Sequence, residues 1–93
     1  MALSGTISAD GATSSITGLQ GNVDVNIRMS GGDRIDCWLQ VSYDAGTTWQ
    51  NLAHLGNSTV SKLLVAGDSS AYYRFKFFGI TGTESADYYL GQD

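Results

Sequence analysis

The sequence predicts an all-β fold: a single-domain antiparallel β-sandwich or jelly-roll-like barrel of seven or eight strands, spanning residues 1–93. Three observations predict it. Apolar residues recur with a period of two over residues 22–30, 34–43 and 71–80. Turn-forming residues punctuate the chain at strand-like spacing, roughly every 8–12 residues. The composition holds no proline and 12 glycines, and no segment carries a convincing helical period. A chain of 93 residues buries roughly 60–70% of its unfolded surface, enough for one modest core.

Taken in order, residues 5–9 read as a first short strand, and Asp10-Gly11 as a turn. Residues 12–17 read as a second strand ending at Gly18, followed by a connection through Leu19, Gln20 and Gly21. Residues 22–30 place Val23, Val25, Ile27 and Met29 on one face and Asp24, Asn26 and Arg28 on the other, the pattern of a half-buried strand. Gly31-Gly32-Asp33 is a hairpin loop. Residues 34–43 alternate again, with Ile35, Cys37, Leu39, Val41 and Tyr43 expected inward. A return strand over 48–52 is followed by an irregular stretch over 53–57. Residues 58–65 form a strand whose apolar face is not fixed by its pattern, and residues 66–69 turn the chain. Residues 71–80 give the strongest later strand, with Ala71, Tyr73, Phe75 and Phe77 inward and Tyr72, Arg74, Lys76 and Phe78 opposite. A loop over 81–85 leads to a short last strand, 86–90. The expected core is Val23, Val25, Ile27, Ile35, Cys37, Leu39, Val41, Tyr73, Phe75 and Phe77.

The most specific motif lies at residues 42–49, Ser42-Tyr43-Asp44-Ala45-Gly46-Thr47-Thr48-Trp49. An aspartate at such a reversal accepts hydrogen bonds from the turn's own N–H groups, and glycine permits positive φ. Thr48 and Trp49 open a return strand, where β-branched and aromatic residues pack well. The pattern Ser-x-Asp-x-Gly-x-Thr-Trp resembles the Asp-box of sialidases and related repeat proteins. That resemblance implies a structural turn built by Ser42, Asp44, Gly46, Thr48 and Trp49, remote from any catalysis. A propeller needs at least four blades of about 40–50 residues, so this chain is not one by itself.

Composition narrows the function. Five basic residues against nine acidic ones give a net charge of −4, and the basic residues are dispersed, so no phosphate-tracking stripe exists and nucleic acid is not expected as a partner. No apolar run approaches the roughly 20 residues of a membrane helix, and the opening residues lack the basic start and apolar run of a secretory signal. Cys37 is the single cysteine, which leaves no internal disulfide and no cysteine-based zinc site; it reads as a buried, inert thiol. A sialidase-type site needs three converging arginines. Arg28, Arg34 and Arg74 read instead as residues of solvated strand faces. His54 reads as a structural or surface histidine, and no phosphate loop, calcium loop or histidine metal pair is present. No catalytic, cofactor-binding or metal-binding residue is therefore expected, and the chain reads as a non-enzyme.

The aromatic residues point elsewhere. Trp38 falls on the face opposite Cys37, beside Asp36, Gln40 and Ser42, and Tyr72 and Phe78 fall opposite the apolar face of their strand. With Tyr88 and Tyr89 of the last strand they form the candidate interface, since aromatic anchors are enriched at protein contacts. The run Tyr88-Tyr89-Leu90 is expected to offer a free edge for strand addition. Few charged residues, 15%, and no proline leave the strand edges with little of their usual protection.

Across most of its length the chain resembles small structural proteins of tailed bacteriophages. The resembling stretches are Thr6-Ile7-Ser8-Ala9-Asp10-Gly11-Ala12-Thr13-Ser14, then Trp38 through Trp49, then Ala66-Gly67 and Tyr73-Arg74-Phe75-Lys76. The resemblance implies a compact β-sandwich located in the virion, most simply a capsid decoration or cement protein. Its expected partners are the major capsid protein or other virion proteins, and further copies of itself as a homo-oligomer. The alternative is a carbohydrate-binding module or receptor-binding knob of a virion fibre, with a glycan stacked on Trp38 or another exposed aromatic.

Overall fold

The computed structural model describes residues 2–30, 35–56, 60–66, 69–80 and 84–92. Nine strands occupy these residues: β1 (Ala2–Ile7), β2 (Gly11–Ala12), β3 (Ile16–Thr17), β4 (Gly21–Ser30), β5 (Asp36–Ser42), β6 (Gln50–Gly56), β7 (Val60–Ala66), β8 (Tyr72–Phe78) and β9 (Ser85–Gln92). They form two antiparallel sheets. One is ordered β1-β9-β4-β7; the other is ordered β2-β8-β5-β6, with β3 also paired to β8.

The pairing has a simple logic. β1 pairs with β9, β2 and β3 with β8, β4 with β7, and β5 with β6. These are nested: the chain is one long hairpin whose tip is the turn between β5 and β6. Lateral pairing of β4 with β9 and of β5 with β8 rolls that hairpin into two sheets. This is the jelly-roll arrangement.

The period-two strands behave as their sequences require. Val23, Val25 and Ile27 on β4, and Cys37, Leu39 and Val41 on β5, are buried, as are Tyr73, Phe75 and Phe77 on β8 and Ile35 ahead of β5. In register, Cys37 stands opposite Phe77, Leu39 opposite Phe75 and Val41 opposite Tyr73. Phe75 and Phe77 meet Tyr88 of the other sheet with ring centroids 5.8 and 6.2 Å apart, which ties the two layers together.

Several expectations are corrected. The first strand begins earlier, at Ala2, because Leu3 pairs with Leu90 and is drawn into the core. The segment 12–17 is not one strand. Thr13 interrupts it by donating its N–H to the Phe75 carbonyl at 2.9 Å and accepting the Phe75 N–H on its own hydroxyl at 3.1 Å, so a side chain substitutes for a ladder acceptor. Leu19, expected in a connection, is fully buried. Tyr43 is 63% exposed rather than inward, because β5 ends at Ser42 and the turn swings the next residue to solvent. Residues 53–56 are not irregular but belong to β6, whose register against β5 skips Leu52 and Leu55. Residues 60–66 pair along β4 from Ile27↔Val60 to Gly21↔Ala66, which fixes the register their pattern left open. The last strand is neither short nor an edge: β9 lies between β1 and β4 and is paired on both sides, so it cannot accept a further strand. The expected loop at 31–33, and parts of those at 66–69 and 81–85, lie outside the described residues.

Cys37 sits in this core with its thiol pushed up to about 12, first by burial and then by the neighbouring Asp36 carboxylate. A thiol so held stays protonated and unreactive near neutral pH. Native protein should therefore resist a thiol-titrating disulfide reagent at pH 8 and react with one equivalent only when unfolded; rapid reaction of the native protein would contradict the placement.

Candidate functional site

The turn at residues 42–49 is closed by side chains. Ser42, which is buried, donates its hydroxyl to Asp44 Oδ1 at 2.7 Å and accepts the Gly46 N–H at 2.8 Å. Asp44 Oδ1 accepts the Thr48 N–H at 2.9 Å, and Asp44 Oδ2 accepts the Thr48 hydroxyl at 2.5 Å. Trp49 donates its indole N–H to the Gly46 carbonyl at 3.1 Å. Ala45 and Gly46 take φ of 60° and 90°, the left-handed region that a glycine enters freely and an alanine does not. All of these bonds run within the turn, so the residues Ser42, Asp44, Gly46, Thr48 and Trp49 brace a hairpin tip.

Trp49 also links this turn to the outer face of the five-stranded sheet. The Arg74 guanidinium lies 4.2 Å over its ring, and Arg74 Nε donates to Gln40 Oε1 at 2.9 Å. Gln40 Nε2 in turn donates to Asn51 Oδ1 at 2.9 Å, which completes a lateral network across β8, β5 and β6. Toward the other end of the same face, Trp38 packs against His54 with ring centroids 4.4 Å apart. His54 Nε2 meets Asp36 Oδ1 at 2.5 Å, and the same carboxylate oxygen accepts the Cys37 N–H at 3.0 Å. Register places Phe78 opposite Asp36, Lys76 opposite Trp38 and Tyr72 opposite Ser42.

The structure thus brings Trp38, Tyr72 and Phe78 together on one sheet face. It separates the other two candidates. Tyr88 turns inward and its hydroxyl end crosses over Gly5, whereas Tyr89 is partly exposed on the outer face of the four-stranded sheet. There Tyr89 borders a groove of about 300 Å³ with Asn26, Arg28, Ser61 and Asp87. Arg28 and Arg74 lie on different sheets, and Arg34 lies outside the described residues. His54 joins the Trp38 face although its segment looked irregular. The missed signal was the bulge: two skipped leucines hide the period of β6 and bring His54 opposite Trp38. Among the described residues, no three or more His, Cys, Asp or Glu are grouped to hold a metal ion. The face offers aromatic rings for stacking and side chains for hydrogen bonding and charge pairing.

No family model, curated protein or solved structure matches the chain.

The hydrogen bonds on Asp44, first from the Ser42 hydroxyl and then from Thr48, lower its carboxyl from the ordinary 3.8 to about 2. A folded-state value below the unfolded one means that these bonds stabilise the fold fully above pH ~4 and are lost as pH falls through about 2. Denaturant titrations between pH 5 and 2 should therefore show a steeper acid loss in the natural protein than in Asp44→Asn; equal slopes would contradict the arrangement. At neutral pH, Ser42→Ala should lower stability by about 1–3 kcal/mol, because it removes the buried Ser42 hydroxyl that joins the Gly46 N–H to Asp44.

Proposed function

We propose that the chain is a non-enzymatic structural protein of a bacteriophage virion, a capsid decoration or cement protein that contacts the major capsid protein or its virion neighbours in many copies. The observation that carries this reading is the outer face of the five-stranded sheet, where Trp38 and Phe78 stand beside Lys76 and His54 at one end and Tyr72 stands at the other, opposite Ser42. Phe78 on this face is 44% exposed. Aromatic anchors among polar neighbours are the composition of protein contact surfaces. The low charge density and the resemblance of the sequence to small phage structural proteins support the same reading. In a particle, weak single contacts add through repetition.

A second reading, a carbohydrate-binding module or fibre knob, is favoured by one detail: Trp38 is bordered by Asp36, Gln40 and His54, side chains able to bond sugar hydroxyls. The two readings separate in one pair of assays. Under the first, the protein co-sediments with capsids lacking it, Trp38→Ala and Phe78→Ser weaken that binding by about tenfold or more, and a glycan array stays blank. Glycan binding lost in Trp38→Ala, with no capsid affinity, would overturn it.

A further inference from the structure

A strand at the border of a sheet exposes a row of unpaired N–H and C=O groups, and proteins usually blunt such borders. Three of the borders here are blunted. β2 and β3 are two residues long each. β6 breaks register twice against its neighbour. β7 carries Lys62 in mid-strand. β1 has none of these devices. Its residues, Ala2–Ile7, contain no charge and no proline, and they pair with β9 one for one without a register shift. Ala2, Ser4, Gly5 and Thr6 are exposed.

We infer that β1 is a self-association edge: a second copy of the chain pairs with it antiparallel, β1 against β1, about a two-fold axis at Gly5. Such an axis stands perpendicular to the sheet and keeps its faces, so inward residues must oppose inward residues. Leu3, Gly5 and Ile7 form the inward row, opposite Leu90, Tyr88 and Ala86 of β9; Ser4 and Thr6 form the outward row. An axis at Gly5 sets Leu3 against the partner's Ile7, Ser4 against the partner's Thr6, and Gly5 against itself. Among the other registers that respect the faces, axes at Ser4 or Thr6 would set Leu3 or Ile7 against Gly5 and lose the apolar pair, and an axis at Leu3 would leave most of β1 unpaired. Cross-strand pairs of this kind decide register. The core reaches this border, since Leu3 is buried and Ile7 packs against the core cluster. The Tyr88 hydroxyl lies 2.7 Å from where a Cβ on Gly5 would stand, so the axis also brings two tyrosine hydroxyl ends toward each other. The product is one continuous sheet made of the four-stranded sheets of both copies. The inference rests on strand pairing alone, and its failure leaves the virion reading standing.

Sedimentation equilibrium at tens to hundreds of micromolar tests it. The natural chain should form a dimer. The double variant Ser4→Lys with Thr6→Lys sets like charges opposite each other twice across the axis and should weaken the dimer by about tenfold or more. Mixing that variant with Ser4→Glu should restore association between the two, because each lysine at position 6 then meets a glutamate at position 4. Ser61→Lys, on the other border of the same sheet, should leave the dimer intact. Circular dichroism confirms that each variant is folded. A natural chain that stays monomeric throughout this range, a folded lysine variant that dimerises unchanged, or a mixture that does not associate would overturn the inference.

Discussion

Everything in this fold hangs on the placing of β9 between β1 and β4. Without it the chain is a nested hairpin with one apolar face and no second layer. With it, Leu90 and Ala86 enter the core, and Tyr88 bridges to Phe75 and Phe77. The pairing of β5 with β8 does the same for the other sheet. Both pairings join segments distant in sequence, so the entropy of closing long loops is spent before the contacts that repay it can form. The hairpin tip at residues 42–49 is the local exception. Its side-chain hydrogen bonds form within eight residues, and they hold β5 and β6 at the one point where the nested ladder can start from short range.

The sequence made some of this legible and hid the rest, for physical reasons. β4, β5 and β8 could be read because each has one face in the core and one outside, which writes a period of two into the chain. Every residue of the expected core is buried for that reason. The position of β9 could not be read, because a strand's own pattern records which face is buried but not how many of its edges are paired. β6 was obscured by its bulges, and the break between β2 and β3 by a threonine hydroxyl that acts as a backbone acceptor. Tyr43 misled because alternation runs on through a sequence after the strand itself has stopped.

The same contrast holds at the candidate site. The turn was legible because its chemistry is local: aspartate, serine and glycine act on neighbouring N–H groups. Trp38, Tyr72 and Phe78 share a face because alternation on two paired strands in a fixed register requires it. Tyr88 and Tyr89, adjacent in sequence, necessarily point to opposite faces of β9, so Tyr88 packs against the core while Tyr89 stands on the outer face. The His54–Asp36–Trp38 cluster depends on the register of a bulged strand, and nothing short of that register would have gathered it.

Native-state hydrogen exchange tests the central claim most directly. Amides that open only with global unfolding exchange slowest, whereas frayed terminal strands exchange fast. If β9 is an interior strand, the amides of residues 86–90 should exchange as slowly as those of β4 and β8, and more slowly than those of β6. Exchange at residues 86–90 as fast as at a frayed chain end, with β4 still protected, would contradict the fold described here.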